Sequence, residues 1–432
     1  VLIGLDSVRC DLSLGPAQAA DMPNVAAFLA GAHRFSDATT PLARTFPSLV
    51  SVLSGRHPVT TGARVNLTPR NLVQTGPTLP ALLAARGYTT IYATDEVRFA
   101  NIDESYGFQH VISPPIGASD FLLGKLNDLP LSNLLSASRL GGWLFPSTFG
   151  NRAAYVTYRP ESFEALLRAE LPEHEPLFLA VHLTLAHWPY TFAGQPRMRT
   201  QPASLRDGYA TAVAAADAQF GRVIRELEGR GVLDNAIVVV MSDHGEGMGW
   251  YSESLLEPIE RMDTLWGSLW GHGTSVMTPH QFQVLLAFRE FGAARMNRAA
   301  VHAAPASLED VLPTVMDLAG LGDPGPVDGV SLAPVIRHGD APPSLLDRLR
   351  FTETDFNTPS MLAGKYDERG ALTEAGMYYE VEPRSGWVQL RANRIGEVIA
   401  AKERAVFDRD LLLAALPRPD GGHRFLLTSR QK

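Results

Sequence analysis

Apolar runs rich in β-branched residues alternate along the chain with segments whose apolar positions recur every three or four residues. The apolar runs predict strands at Val1–Leu5, Tyr88–Ala93, Leu177–Leu185, Ala236–Met241 and Phe282–Phe288. The helical periodicity predicts helices at Leu79–Arg86, Tyr209–Glu228 and Leu308–Ala319. This alternation predicts an α/β fold, with a mostly parallel central sheet that carries helices on both faces.

The pattern changes at a proline-rich stretch, Ala341-Pro-Pro-Ser344, which we interpret as a linker. Short β-type runs follow it, and they predict a smaller antiparallel sheet. These runs are Met377–Val381, Trp387–Arg391, Val398–Ala400 and Arg424–Leu427. We therefore expect a main domain over residues 1–340 and a C-terminal α+β subdomain over residues 346–432.

Composition narrows the possible partners. The 432-residue chain has a formal net charge of −8 and no long Lys/Arg run, so we expect no nucleic-acid-binding surface. The single cysteine, Cys10, excludes an intramolecular disulfide, and we expect it to be a buried thiol beside a strand. No run of 18 apolar residues is present to span a bilayer. The oligomeric state is left open.

Two features bear on location. The chain begins with Val1 in a predicted core strand, so a preceding signal peptide or anchor could have been removed. In that case we expect a periplasmic or extracytoplasmic, membrane-associated protein. The segment Phe121–Phe149 is rich in Leu and aromatic residues. It is either an insertion that packs onto the core or an apolar patch that meets a membrane surface.

Polar side chains stand at the ends of predicted strands, where the ligand sites of open α/β sheets gather. Asp6 follows the first strand, and Asp243-His244 follows Ala236–Met241. Polar neighbours directly after an apolar strand are costly unless they meet a partner such as a metal. Asp with His is a common ligand set for Zn²⁺ or Mn²⁺. Each residue alone also fits an ordinary turn or cap.

Thr45 precedes Pro47 and an apolar helical run, which predicts that it begins a helix. It is either an ordinary N-terminal threonine or a hydroxyl nucleophile. In the second case the free N–H groups of the helix would stabilise both its alkoxide and a bound phosphoryl group. The neighbouring Arg44 is either a phosphate clamp or a surface residue.

Three histidines lie near these segments. His187 and His272 stand in predicted loops, and each is either a catalytic group that contacts or protonates substrate oxygens or a loop residue without a role. His182 lies within a predicted strand, and we expect it to be structural.

In combination and in this order, these segments resemble the alkaline phosphatase/sulfatase superfamily. Thr45–Pro58 (TFPSLVSVLSGRHP) resembles its nucleophile helix and Gly-Arg-x-Pro turn, and Leu308–Leu332 resembles the late helix and turn of sulfatase-type domains. The resemblance covers roughly residues 1–335 and implies that residues 1–340 form a sulfatase-type catalytic domain. It also implies a covalent intermediate on residue 45. The implied metal ligands are Asp6, Asp243, His244 and the oxygen of Thr45.

The chain departs from the true sulfatases, which oxidise a Cys or Ser to formylglycine in a C/S-x-P-x-R motif. Here Thr45 stands at the Cys position and Leu49 at the Arg position, and the extra methyl of threonine prevents formation of the aldehyde. In having threonine at the nucleophile position, the chain is similar to three related groups: nucleotide pyrophosphatases/phosphodiesterases, phosphoethanolamine transferases and lipoteichoic acid synthases. The first group has an Asp where Leu183 stands, which argues against a full second metal site here.

This chain also resembles the transferases in two further motifs, His187-Trp-Pro-Tyr190 and Ser242–Gly249. They usually have Glu where Asp6 stands, however, and they sit behind transmembrane helices.

We therefore expect a metal-dependent phosphoryl-ester hydrolase or phospho-headgroup transferase that acts through a covalent Thr45 intermediate. The metal would be Zn²⁺ or Mn²⁺ ahead of Ca²⁺. The substrate would be an anionic ester, and a lipid headgroup is within that class. Two alternatives stand beside this expectation. One is a sulfuric ester hydrolase, as the sulfatase-like domain suggests, and the other is a non-catalytic relative that binds lipid or a partner.

Overall fold

The computed structural model describes residues 1–13, 21–114, 143, 148–172, 176–195, 202–256, 269–292, 299–355, 373–374, 376–418 and 421–430. The strands are β1 Leu2–Leu5, β2 His33–Thr39, β3 Thr89–Thr94, β4 His110–Ile112, β5 Leu177–Leu183, β6 Ile237–Met241, β7 Gly247–Met248, β8 Trp270–Gly271, β9 Leu286–Glu290, β10 Ala300–Ser307, β11 Arg350–Glu353, β12 Tyr379–Val381, β13 Val388–Leu390, β14 Arg404–Phe407, β15 Leu411–Pro417 and β16 His423–Ser429. The helices are α1 Pro23–Leu29, α2 Thr45–Ser54, α3 Pro58–Thr61, α4 Leu79–Ala84, α5 Pro160–Glu170, α6 Pro202–Gly229, α7 Pro279–Phe282, α8 Val311–Leu318, α9 Ala333–His338, α10 Pro343–Leu346 and α11 Ile395–Ala400. Within these described ranges, no helix combines the length and the hydropathy that a bilayer crossing requires.

Eight strands form one central sheet in the order β10-β2-β9-β6-β1-β5-β3-β4. Neighbouring strands run parallel except at β9, which is antiparallel to both β2 and β6. Side chains alternate between the two faces: Val239 joins the core beneath α2 and α8, whereas Val238 and Val240 join the core beneath α6. The prediction of a mostly parallel sheet with helices on both faces is therefore confirmed.

The predicted strand Phe282–Phe288 is wrong at its beginning. Phe282 ends the short helix α7, and the strand begins only at Leu286. Pro279 stands at the first turn of α7, where its fixed φ favours a helix. Cys10 also differs from expectation, since it is half-buried in a 3₁₀ turn, Cys10–Ser13.

The C-terminal segment contains a small antiparallel sheet, as the sequence predicted, but with other strands: it has the order β11-β14-β15-β16, and only the predicted run Arg424–Leu427 lies in it. The predicted runs Met377–Val381 and Trp387–Arg391 contain β12 and β13, which pair separately. Val398–Ala400 was predicted as a strand, and this is wrong: the residues lie in α11, where Val398 packs against Leu390. A short run rich in β-branched residues fits a buried helix turn as well as a strand. The exact division into domains stays a prediction.

The small sheet packs beside the beginning of α2. Phe407 and Leu412 share one apolar cluster with Ala43, which lies two residues before Thr45. The β11 residue Glu353 also donates its backbone N–H to the Pro41 carbonyl at 3.1 Å. The C-terminal segment is therefore held next to the carboxyl edge of the central sheet. The apolar segment Phe121–Phe149 lies outside the described residues except for Trp143, which is exposed, and residues 148–149.

Candidate active site

Four buried side chains converge at the carboxyl edge of the sheet. Because β1 lies between β5 and β6, the residues at the ends of these strands meet: Asp6 follows β1, His182 belongs to β5 and Asp243 follows β6. One ligand atom from each lies within 4.8 Å of the other two. The Nε2 of His244 lies 3.5 Å from Asp6 Oδ1 and 3.3 Å from Asp243 Oδ2.

The electrostatics of this cluster favour a bound cation. Burial raises the pKa of Asp6 well above its ordinary value, and the Asp243 carboxylate raises it further. Burial also acts to raise the pKa of Asp243, but His244 and His182 outweigh it and the net pKa is lowered. Within the part of the chain that the structure describes, Asp243 Oδ2 and both ring nitrogens of His182 have no hydrogen-bond partner. Two carboxylates buried together with an unpaired oxygen are costly unless a cation offsets them.

The donor set therefore fits a divalent metal ion. Carboxylate oxygens and imidazole nitrogens are ligands of Zn²⁺ and Mn²⁺ alike. Asp6, Asp243 and His244 are brought together as the resemblance implied. His182 was expected to be structural, but it lies 3.8 Å from Asp6 and 3.6 Å from Asp243, so it is a fourth candidate ligand. The strand predicted from the sequence runs on to Leu185, whereas β5 ends at Leu183, and this places His182 near the carboxyl edge.

Thr45 is the first residue of α2, and the prediction that it begins a helix is confirmed. Arg44 precedes it in extended conformation, with φ −151° and ψ 146°. The Thr45 side chain is buried, and its Oγ1 lies 3.5 Å from His244 Nε2. The next N–H of the helix, from Phe46, is donated to Asn66 Oδ1 at 3.2 Å. The hydroxyl thus stands beside the carboxylate cluster at a helix N-terminus, and its role as nucleophile stays a prediction.

A layer of imidazole rings covers the cluster. The His272 ring centroid lies 3.9 Å from that of His244 and 5.1 Å from that of His187. His187 Nδ1 lies 2.7 Å from the Trp188 carbonyl oxygen, and this bond requires the proton on Nδ1. Its Nε2 is then an acceptor. Both sequence-predicted histidines therefore lie at the site.

Glu246 is a site residue that the sequence analysis did not single out. Its Oε2 lies 2.7 Å from His272 Nδ1, and its Oε1 accepts a hydrogen bond from the Tyr190 hydroxyl at 2.6 Å. Burial raises the pKa of Glu246 to about 8. Glu246, His244 and His272 lie close enough together to be metal ligands themselves. The 2.7 Å separation is that of a hydrogen bond, so we interpret Glu246 as the partner that orients His272.

Arg44 is not a surface residue, and that alternative is wrong. Its side chain is 16% exposed and forms an ion pair with Asp355, with Nε 3.1 Å from Oδ2. Asp355 follows β11 and was not singled out from the sequence, because nothing in its local sequence shows that it lies near Thr45.

One cleft lies elsewhere. It has a volume of about 870 Å³ and is lined at the opposite edge of the sheet by Leu177, Ile237 and Glu290, among others. None of the metal-ligating clusters found among the described residues borders it. We therefore place the candidate active site at the carboxyl edge.

A mixed α/β sheet that ends in two carboxylates and a histidine, next to a hydroxyl at a helix N-terminus, defines the alkaline phosphatase/sulfatase superfamily. The model of the sulfatase family matches residues 1–321. The chain belongs to the sulfatase family.

Individual relatives are distant. The ulvan-active sulfatase of Formosa agariphila is 21% identical over 198 residues, which cover 42% of this chain and 35% of that protein. The match thus spans about a third of that relative's length. The phosphonate monoester hydrolase of Silicibacter pomeroyi superposes with a TM-score of 0.66 at 18% identity, covering 100% of this chain and 88% of that one. The lipoteichoic acid synthase LtaP of Listeria monocytogenes gives a TM-score of 0.50 at 14% identity, covering 98% and 85%. These structural similarities show the fold.

Proposed function

We propose that the chain is a metal-dependent phosphoryl-ester hydrolase or phospho-headgroup transferase that acts through a covalent intermediate on Thr45. One observation carries the proposal: the Thr45 hydroxyl stands at the N-terminus of α2, 3.5 Å from His244 Nε2 and beside the buried Asp6 and Asp243. A nucleophile needs a lowered pKa and a place where the charge of the transferred group is stabilised. This position offers both.

Asp6, Asp243, His244 and the Thr45 oxygen would hold one Zn²⁺ or Mn²⁺, with His182 beside them. When bound, the ion would lower the pKa of the Thr45 hydroxyl and offset negative charge on the transferred group. Thr45 Oγ1, after losing its proton to solvent, forms a bond to phosphorus while the bond from phosphorus to the leaving oxygen breaks. The leaving oxygen keeps the electron pair and takes a proton from water.

The second half-reaction restores Thr45. A water molecule or an acceptor alcohol attacks phosphorus, its O–P bond forms, and the bond between phosphorus and Thr45 Oγ1 breaks. Thr45 Oγ1 keeps the electron pair and takes a proton from water. His187 presents Nε2 as the acceptor for the proton of the incoming group, because its Nδ1–H is donated to the Trp188 carbonyl. His272, oriented by Glu246, contacts the non-bridging oxygens. Water as acceptor gives a hydrolase, and a second alcohol gives a transferase.

Two of the relatives support phosphorus chemistry by their names, namely the phosphonate monoester hydrolase and the lipoteichoic acid synthase. Sulfate ester hydrolysis is the second candidate, favoured by the family and by the ulvan-active sulfatase. Thr45 argues against its formylglycine form, since threonine oxidation cannot yield an aldehyde.

The test is hydrolysis of chromogenic phosphodiester, phosphomonoester, phosphonate monoester and sulfate monoester substrates, with Zn²⁺ or Mn²⁺ added. Thr45→Ala should lose turnover and keep its fold, because among the described residues the Thr45 Oγ1 has one hydrogen-bond contact, at 3.5 Å. Ser51→Ala is the matched control, since it removes from the same helix a buried hydroxyl that has no hydrogen-bond partner in the described ranges. It should keep full activity.

The outcomes separate the candidates. Phosphorus-ester turnover that is lost only in Thr45→Ala supports the proposal. Turnover of the sulfate ester alone would instead support the second candidate. If the protein binds metal tightly and stoichiometrically but hydrolyses no ester, the result would favour a transferase that needs its own acceptor. If it neither binds metal nor hydrolyses any ester, the result would support a non-catalytic binding relative.

A further inference from the structure

The C-terminal segment places one carboxylate against Arg44, the residue before the proposed nucleophile. Asp355 is 6% exposed, and its Oδ2 lies 3.1 Å from Arg44 Nε. Within the described residues the buried Arg44 Nε makes no aligned hydrogen bond, so the contact is an ion pair.

The surroundings fix this pair at the site. The Asp355 N–H is donated to the Gly273 carbonyl at 2.8 Å, and Asp355 Oδ1 accepts from the Asn66 N–H at 3.3 Å. Gly273 has a φ of +64°, and a Cβ there would lie 2.9 Å from Arg44 Nε. The Arg44 side chain therefore runs across the turn that carries His272. The positive charge of Arg44 also contributes to lowering the pKa of His272.

The network continues to the helix N-terminus. Asn66, whose backbone N–H is donated to Asp355, accepts from the Phe46 N–H with its side chain. Two hydrogen bonds thus separate the Asp355 carboxylate from the first N–H after Thr45. A phosphoryl group on Thr45 would interact electrostatically with both the Arg44 guanidinium and the Asp355 carboxylate that offsets its charge.

We propose that Asp355 is a specificity-determining residue, which neutralises Arg44 so that the site prefers esters with one negative charge over esters with two. Phosphodiesters, phosphonate monoesters and sulfate monoesters carry one charge, whereas phosphomonoesters carry two at alkaline pH. The second charge of a phosphomonoester gains little from a guanidinium whose charge is already offset, and it is repelled by the carboxylate. This inference rests on the proposed function and names its substrate class.

The test compares wild type, Asp355→Asn and Arg44→Gln at about pH 8 with bis(p-nitrophenyl) phosphate and p-nitrophenyl phosphate. Asp355→Asn keeps the size of the side chain and an oxygen for the Asn66 N–H, and it removes the charge. The ratio of kcat/KM for the monoester to that for the diester should rise at least about tenfold, because two unit charges about 10 Å apart interact by about this much at an effective dielectric constant of about 20. In Arg44→Gln the kcat/KM for both substrates should fall. In the double variant Arg44→Gln/Asp355→Asn the ratio should not rise above that of wild type. Glu380→Gln, which breaks an exposed ion pair with Arg391 at 3.2 Å, is the control and should leave the ratio unchanged.

A binding measurement does not depend on turnover. Calorimetric titration with inorganic phosphate and with dimethyl phosphate, in the metal-loaded Thr45→Ala background, should show that Asp355→Asn tightens phosphate binding at least about tenfold more than dimethyl phosphate binding. Equal changes for the two ligands, or an unchanged kcat/KM ratio, would overturn the inference. Absence of any ester turnover would contradict the proposed hydrolysis, and the titration would still decide the effect of Asp355.

Discussion

The two buried carboxylates lead to a prediction that separates metal binding from folding. The Asp6 and Asp243 ligand atoms lie at most 4.8 Å apart, and two unit charges at this distance repel by about 3.5 kcal/mol at an effective dielectric constant of about 20. In the metal-free protein this repulsion, or the uptake of a proton by Asp6 that relieves it, opposes folding. Asp6→Asn removes it and keeps an oxygen to accept the Ser7 hydroxyl, which lies 2.9 Å from Asp6 Oδ1.

We therefore expect Asp6→Asn to raise the free energy of unfolding of the metal-free protein by about 1–3 kcal/mol. The metal-loaded proteins should behave in the opposite way. At a free metal concentration of one hundred times Kd, wild type gains about 2.7 kcal/mol from binding, and Asp6→Asn should gain less than half of this because a charged ligand is lost. The assay is guanidinium unfolding followed by tryptophan fluorescence, in chelator and in excess Mn²⁺.

Asp217→Asn is the control for this experiment. Asp217 is also buried, but it accepts from Asn24 and Val25 away from the site. Its amide variant should be destabilised by about 1–3 kcal/mol with and without metal. The reasoning is refuted if Asp6→Asn is less stable than wild type in chelator, or if both proteins gain equally from metal.

Two further substitutions test the effect of burial on a lysine and the close packing at a site glycine. Burial lowers the pKa of Lys402 from 10.5 to about 8. The folded protein therefore binds fewer protons than the unfolded chain between these values, and the unfavourable contribution of Lys402 is complete below about pH 8 and fades towards 10.5. The free energy of unfolding of Lys402→Met minus that of wild type should accordingly fall by about 2 kcal/mol between pH 7 and pH 9.5, as measured by urea unfolding, and a difference independent of pH would contradict this. In Gly273→Ala, the new Cβ would lie 2.8 Å from the Ala43 carbonyl oxygen and 2.9 Å from Arg44 Nε, so ester turnover should fall more than about tenfold. Gly320→Ala, with a similar φ of +65° and no neighbour within 4 Å, should lose about 1 kcal/mol of stability and no activity.

Local sequence was enough to predict the elements that carry the ligands. Asp6 and Asp243 follow apolar strands, and Thr45 precedes a proline and an apolar helix, so each position follows from its own neighbours. Their convergence was predicted only through the resemblance to the superfamily, because the order of strands in a sheet is not a local property. His182 shows the difference: its residue type suggested a core histidine, and only the placement of β5 beside β1 brings it to the carboxylates.

The C-terminal contribution was harder to predict. Asp355 reaches Arg44 because β11 lies along Leu42 and because the small sheet packs on Ala43. Neither contact has a signal in the periodicity of either segment. The prediction of a strand at Val398–Ala400 was wrong for another reason, since a short run rich in β-branched residues is compatible with both a strand and a helix turn.

The most direct test of the account is whether residue 45 becomes phosphorylated during turnover. The metal-loaded enzyme would be mixed with a phosphodiester or phosphonate monoester that it hydrolyses, quenched in acid within the first turnover, digested and analysed by mass spectrometry. We predict a peptide that carries on Thr45 either a phosphonyl group or a phosphoryl group with the remaining ester substituent of the phosphodiester, absent from Thr45→Ala and removed when the reaction runs to completion. Turnover without modification of Thr45, or turnover by Thr45→Ala at the wild-type rate, would contradict it.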